Sequence, residues 1–382
     1  MAMSAAGTPR PIYLDHHATT PVDPRVAEVV RYAMVEAFGN ANSVDHAFGD
    51  EAAAMVKTAS REVAELVGAY PERVQFTSGS TEAIRIALGH AIRARRAAGP
   101  LQVVASTVEH RAVLAPLAEL EARGDVVLRW ASVDEYARLD MRRLEELARG
   151  ADLVCAMAAN NEVGTVYPVA EIARLALAAG AELLVDATQA AGRVELQADV
   201  WGITYLVLSG HKLYGPKGVG ALVGPRQVRS GVHGTPNVPG IAGFGEACRI
   251  RRLEREADEP RIAGLRDRLE ALLCREIPGL SVNGDRQYRL SGNLHVSVSG
   301  VPNDAVVARL RSTVAISTGA ACTSGTPEPS HVLRAMGLSA DRVDGALRIG
   351  LGKFTTASEV DRAVDHIASA VHLTRTAMEQ GR

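Results

Sequence analysis

Apolar residues in this chain fall into two alternating kinds of run. Short continuous stretches at Val74–Thr77, Leu101–Ala105, Val126–Trp130, Leu153–Met157, Glu182–Val185 and Tyr205–Leu208 are rich in Val and Leu, the make-up of strands buried on both faces. Between them, apolar positions recur every three or four residues over about Ala47–Gly68, onward from Ser80, near Ala112–Arg123, near Met141–Arg149 and over Val169–Ala179. That spacing marks helices with one buried face. Strand and helix in this rhythm predict a mostly parallel sheet with helices on both faces, whose ligand crevice lies at the C-terminal ends of the strands.

A strand at Ile12–Leu14 and a helix from Arg25 to Phe38 precede this alternation, and beyond Gly240 the texture changes. There a long charged helix, Glu246 to Glu276, is followed by short strands around Leu280–Val282 and Leu290–Val298, a helix near Asn303–Arg311, a Gly/Ser/Thr loop, a strand at Leu347–Leu351 and a final helix from Thr356. The reading is an α/β protein: a large domain over residues 16–250 and a smaller α+β domain from residues 1–15 and 251–382, which carries a loop at 317–330.

Composition narrows the function. A formal charge of −2 over 382 residues offers no broad positive field, so no nucleic-acid grip is expected. The N-terminal segment lacks a signal-peptide core, and no apolar run reaches membrane-spanning length. Cys155, Cys248, Cys274 and Cys322 are far apart and form no C-x-x-C pair, which points to a reducing, cytoplasmic setting without disulfides or a thiolate zinc site. His16 and His17 are adjacent and have no ligand one helical turn away, so they read as structural or cofactor-neighbouring polar residues rather than metal ligands.

The chemistry concentrates on Leu206–Gly220. An apolar strand stops at Ser209-Gly210-His211, presents Lys212, and enters a glycine-rich loop. A lysine fixed in such a turn becomes useful when its pKa falls toward that of a free amine, as Schiff-base chemistry with an aldehyde requires. By itself SGHK is a polar turn between strands. Other polar residues sit at other strand ends: Glu109-His110, Asn160-Asn161-Glu162, Asp186 and Gln189. Ser80 and Thr81 open a helix whose free N–H groups and dipole favour an anion. Lys212 for an aldehyde, Asp186 for a pyridine nitrogen, His110 for a ring and Ser80 with Thr81 for a phosphate together make up the parts of a pyridoxal-phosphate site.

With those residues in view, the chain resembles the cysteine desulfurases, in the aminotransferase-like group of fold type I pyridoxal-phosphate enzymes. The motifs that carry the likeness are YLDHHATTPVDPRV, FGNANS, FTSGSTEA, TVEHRAVL, NNEVGTV, LVDATQAAG, SGHKLYGPKGVGAL, STGAACTSGTPEPSHVLRAMGL and RIGLGKFTT, in family order from residue 13 to 356. The resemblance implies a sheet of the seven-stranded type. It implies that Lys212 bonds the cofactor, Asp186 pairs with its ring nitrogen and His110 stacks on the ring. Gln189 and Asn161 lie by the ring hydroxyl and the substrate, and Ser80, Thr81, Ser209, Gly210 and His211 surround the phosphate. Arg348, with Asn40 nearby, matches the residue that binds the substrate carboxylate, and Cys322 the thiol that takes the sulfur.

The implied reaction converts L-cysteine to L-alanine, with sulfur passing to Cys322 as a persulfide and then to an acceptor protein. The implied assembly is a homodimer in which Thr235 reaches the neighbouring subunit's phosphate site. Two departures stand out: Val232 and His233 occupy positions where the family has Arg-Ser, after a shortened segment, and Asn40-Ala41 replaces the usual Asn-Pro. Selenocysteine lysis, another pyridoxal-phosphate lyase or aminotransferase activity, and a non-catalytic docking scaffold on the same fold are the alternatives.

Overall fold

The computed structural model describes residues 10–95, 99–225, 234–318 and 329–380. In chain order, β1 (Ile12–Tyr13), α1 (Pro24–Val35) and α2 (Ala47–Val67) lead into an alternation of β2 (Val74–Thr77), α3 (Ser80–Arg95), β3 (Leu101–Ser106), α4 (Arg111–Ala122), β4 (Val126–Ala131), α5 (Met141–Ala148), β5 (Leu153–Met157), α6 (Val169–Ala178), β6 (Glu182–Asp186) and β7 (Tyr205–Ser209). Then come β8 (Gly220–Val223), α7 (Val238–Glu276), β9 (Leu280–Val282), β10 (Asn293–Val298), α8 (Asn303–Leu310), β11 (Val314–Ala315), α9 (His331–Ala335), α10 (Ala340–Asp344), β12 (Ala346–Gly350) and α11 (Ala357–Gln380).

The main sheet has seven strands in the order β2-β8-β7-β6-β5-β3-β4, and only β8 runs against the others. Its continuous apolar strands have a simple cause. On β5, Leu153 and Cys155 join one buried cluster with Ile84, Leu88 and Leu117 of α3 and α4, while Val154 and Ala156 join another with Ile172 and Leu175 of α6. Successive side chains point to opposite faces, and both faces are covered.

A second grouping of buried residues lies around the antiparallel sheet β12-β10-β9. Leu294, Val296, Leu347 and Ile349 of that sheet pack with Val360, Val364 and Ile367 of α11 and with Ile12 and Leu14. The N-terminal strand arrives there because β1 pairs in parallel with β11, Ile12 opposite Val314.

α7 begins at Val238, ahead of the Glu246 start predicted from its charged stretch. Gly243 and Gly245, in the segment added ahead of that stretch, are sites of close helix contact. A Cβ on Gly245 would lie 2.5 Å from Ala59 Cα of α2, and one on Gly243 would lie 2.4 Å from Val30 of α1. Between the loop at 317–330 and β12 lie two short helices that the sequence pattern did not place, α9 and α10, each started by a serine cap: Ser330 accepts from Leu333 N and Ser339 from Arg342 N.

Candidate active site

The C-terminal ends of β3, β5, β6 and β7 converge on a cavity of about 320 Å³ that His110, Asn161, Asp186, Gln189, Lys212 and Arg348 all line. Each gets there through its position in an element. His110 caps α4 after β3, Asn161 follows β5, Asp186 ends β6 with Gln189 in the turn beyond, and Lys212 lies in a single 3-10 turn after β7. Arg348 comes from β12 of the other sheet.

Lys212 Nζ donates to the carbonyl oxygens of His17 and, at 2.8 Å, Ala18. No carboxylate forms an ion pair with it among the described residues. Burial, reinforced by the cations Arg348 and Arg193, lowers its pKa from the ordinary 10.5 to about 7, so the free amine is accessible near neutrality. His17, whose two neighbouring carbonyls do this holding, is itself locked by Gln189: its Nδ1 donates to Gln189 Oε1 at 3.2 Å, and Gln189 Nε2 returns to the His17 carbonyl at 2.9 Å. Arg193 then braces Gln189 Oε1 at 2.8 Å and the Lys212 carbonyl at 3.2 Å.

Asp186 is buried, with one oxygen accepting from Thr188 N at 2.9 Å. Beneath it lies Glu109, wholly buried, whose Oε1 accepts from Met157 N at 2.7 Å and whose Oε2 has no partner. Burial, with Asp186 close by, pushes the Glu109 carboxyl up to about 8, which keeps it neutral at pH 7. His110 opens to the cavity but is crowded by protein, and that desolvation lowers its pKa despite the pull of Asp186. Its Nδ1 accepts from Ala112 N at 3.1 Å, so the neutral ring carries its proton on Nε2.

Arg348 forms an ion pair with Asp15 at 3.0 Å and donates to the Asn161 carbonyl at 3.2 Å, while its Nε is buried and unpartnered. A guanidinium only partly used by the protein has donors left for a carboxylate. Thr188 Oγ1, Ser317 Oγ and His17 Nε2, all lining the same cavity, likewise have no partner among the described residues. Thr188 is not singled out by the sequence, whereas His17 reads there, with His16, as a structural or cofactor-neighbouring polar residue. The unpaired polarity of all three is visible only once the fold closes around them.

A second hollow adjoins the first through Ala18, Ser80, Thr81 and His211. Ser78, Gly79, Ser209 and Lys217 complete it at the N-terminus of α3, a donor set and dipole suited to a dianion. Ser78 N is taken by Glu82 at 2.6 Å, and Ser80, Thr81 and Ser209 line the hollow together with Thr19, His211 and Lys217. The fold therefore offers a lysine amine, a carboxylate, an imidazole and a phosphate cradle in adjoining spaces, and pyridoxal phosphate fits that donor set.

Three expected residues are not gathered here. Gly210 spends its N–H on Val219 O at 3.0 Å, and a Cβ there would lie 2.8 Å from Pro216 O, so it shapes the Lys212 turn. Asn40 and Thr235 are exposed and line neither hollow, although their segments meet where Asn42 Nδ2 donates to Gly234 O at 3.3 Å. Cys322 lies outside the described residues, with Ser317 and Ser330 on either side of that segment lining the cavity.

Residues 12–232 and 229–363 match the Aminotransferase class-V family. The chain is 42% identical to a protein named "Cysteine desulfurase IscS" from Anaeromyxobacter dehalogenans (strain 2CP-C), covering 93% of this chain and 91% of that one. It is 38% identical to a "Cysteine desulfurase" from Nostoc sp. (strain PCC 7120 / SAG 25.82 / UTEX 2576), covering 95% and 94%. A solved structure titled "NIFS-LIKE PROTEIN" superposes with a TM-score of 0.88 at 30% identity, covering 96% of this chain and 100% of that one.

Proposed function

We infer the workings of the site from one premise: the chain belongs to the aminotransferase class-V family and, within it, to the cysteine desulfurases. It is a pyridoxal-phosphate-dependent enzyme that takes sulfur from L-cysteine. The observation that carries the residue assignment is an uncompensated, pKa-lowered lysine sharing one cavity with Asp186, His110 and Arg348.

Lys212 would bond the cofactor, Asp186 and His110 would serve its ring, Gln189 and Asn161 would lie beside it, and Ser80, Thr81, Ser209 and His211 would hold its phosphate. Bound there, the cofactor supplies an electron sink that acidifies the amino acid's α-hydrogen. Arg348 holds the α-carboxylate through its free donors. Lys212, as a neutral amine, would remove the α-proton, and His110 offers Nε2–H to the same space. Cys322, as thiolate, takes the sulfur as a persulfide, alanine is the other product, and an acceptor protein receives the sulfur.

The exposed positions of Asn40 and Thr235 support a homodimer in which they serve the partner's site. They lie near an apolar patch that includes Met34, Val35, Phe38, Val44 and Phe48, all more than half exposed, with Phe38 and Phe48 stacked at 5.4 Å. The cluster around β10, β12 and α11 supports a smaller domain built from residues 1–15 and 251–382. No helix among the described residues is long and apolar enough to cross a membrane. Cys155, Cys248 and Cys274 are unpaired thiols, which supports a reducing cytoplasm.

The test is to supply L-cysteine to the holoenzyme and to its Cys322→Ala variant. The wild type is expected to release alanine in step with persulfide, whereas the variant keeps the cofactor's absorbance and loses both products. Undiminished sulfur release by the variant would reassign the site to a lyase reaction that needs no acceptor thiol.

A further inference from the structure

A second imidazole faces the cavity. His331 opens α9, lines the same cavity as Arg111, Ser317, Ser330 and Arg348, and is placed by one hydrogen bond of its own and two of the serine before it. Its Nε2 lies 2.9 Å from the Glu109 carbonyl, an atom that can only accept, so Nε2 carries the proton and Nδ1 is left with the lone pair. Ser330, immediately before it, donates to the buried Glu162 carboxyl and accepts from Leu333 N at 3.2 Å, which fixes the first turn of the helix. Among the described residues, Nδ1 of His331 has no hydrogen-bond partner.

The arrangement is complementary to that of His110. The carbonyl that fixes His331 belongs to the residue just before His110, so one backbone junction positions both rings. His110 Nδ1 is occupied by Ala112 N, leaving Nε2–H, while His331 Nε2–H is occupied by Glu109 O, leaving Nδ1. One ring is left with an N–H, the other with a base.

We propose that His331 is a catalytic base for sulfur transfer, taking the proton carried by the substrate's sulfur through Nδ1. This rests on the desulfurase reading above. As a thiolate attacks Sγ of bound L-cysteine, an S–S bond forms and the Cβ–Sγ bond breaks, its electron pair staying with the carbon fragment. The Sγ–H proton passes to Nδ1, leaving an anionic persulfide beside an imidazolium. No oxidant or reductant is needed. The groups around the ring suit a base that starts neutral: burial lowers its pKa, as do Arg111 and His110 at the start of α4 and Arg334 on its own helix, against the bond to Glu109 O. Behind Ser330, Glu162 is itself pushed up to about 7 by burial.

The test uses the holoenzymes of wild type, His331→Gln and His331→Asn. Either amide can donate to the Glu109 carbonyl, and neither accepts a proton. Both variants are expected to form persulfide and alanine from L-cysteine roughly 10²-fold more slowly, and to lose a rise in rate with pH that in the wild type lies below the usual imidazole range. Exchange of the L-alanine α-hydrogen with solvent deuterium, which needs Lys212 but no sulfur chemistry, is expected to continue at the wild-type rate. Nitrogen-15 spectra of histidine-labelled protein should show His331 as the neutral Nε2–H tautomer near pH 7.5. Wild-type desulfuration rates in both variants, an equal loss of deuterium exchange, or an Nδ1–H tautomer would overturn the assignment. A wild-type protein yielding no alanine would sink the underlying reading and this assignment with it.

Discussion

Lys212 and Lys353 both follow a strand, both sit in glycine-containing turns and both are withdrawn from solvent, but their surroundings are opposite. Lys353 is met by Asp23 at 2.7 Å and Glu254 at 2.8 Å, and its ammonium lies 5.5 Å from the Tyr214 ring centre. Arg25 grips the same two carboxylates, and its hydrogen bonds are the main reason Glu254 is held down to about 2 and Asp23 lower still. Lys212 has carbonyl dipoles and two arginines for company. Burial is common to both. What separates a lysine that ties elements together from one ready to react is whether its charge has been answered.

The contrast breaks most visibly at Lys212. Lys212→Ala should lower alanine formation from L-cysteine by more than about 10³-fold with no loss of thermal stability in the cofactor-free protein, as read by calorimetry beside the rate. Lys353→Met should do the reverse. Removing one member of a buried ion pair costs about 3–5 kcal/mol, but Arg25 remains on both carboxylates, so a loss of about 2 kcal/mol in denaturant unfolding is expected, with the holoenzyme's absorbance and rate near wild type.

The smallest effect is one of pH. The folded-state pKa of Lys212 lies near 7, below its ordinary 10.5, so burial of the ammonium destabilises the cofactor-free fold fully below pH 7, and the penalty fades as pH rises toward 10.5. The gap in melting temperature between wild type and Lys212→Met, both without cofactor, should therefore narrow from about pH 7 to about pH 10. A gap that stays constant would mean that the amine is solvated in the folded state.

Local pattern revealed much of this. Buried strands advertise themselves as unbroken Val and Leu runs, and polar residues just past such runs land at the strands' C-terminal ends, which is why Lys212, Asp186, His110 and Asn161 were legible. Other features depend on partners remote in sequence. Lys353 reads as any turn lysine until Asp23 and Glu254 arrive from α1 and α7. The Val238 start of α7 lies ahead of its charged stretch, in a segment with glycines whose purpose, admitting Ala59 and Val30, belongs to tertiary packing. His331 carried a faint signal, a histidine directly after a serine cap, but its tautomer depends on a carbonyl at the start of α4. For Asn40 and Thr235, a single chain supplies no pocket that contains them.

The N-terminal segment has a consequence for biosynthesis. Asp15 pairs with Arg348, 333 positions later, and the carbonyls of His17 and Ala18 hold Lys212, so an early-made wall of the pocket must wait for a late-made one before the pocket can close. A chain released early would carry the glycine turn and its lysine without the opposing wall. Uptake of the vitamer thus marks a chain made at least as far as Arg348, and products truncated before it should be left colourless for the cell's proteases to clear.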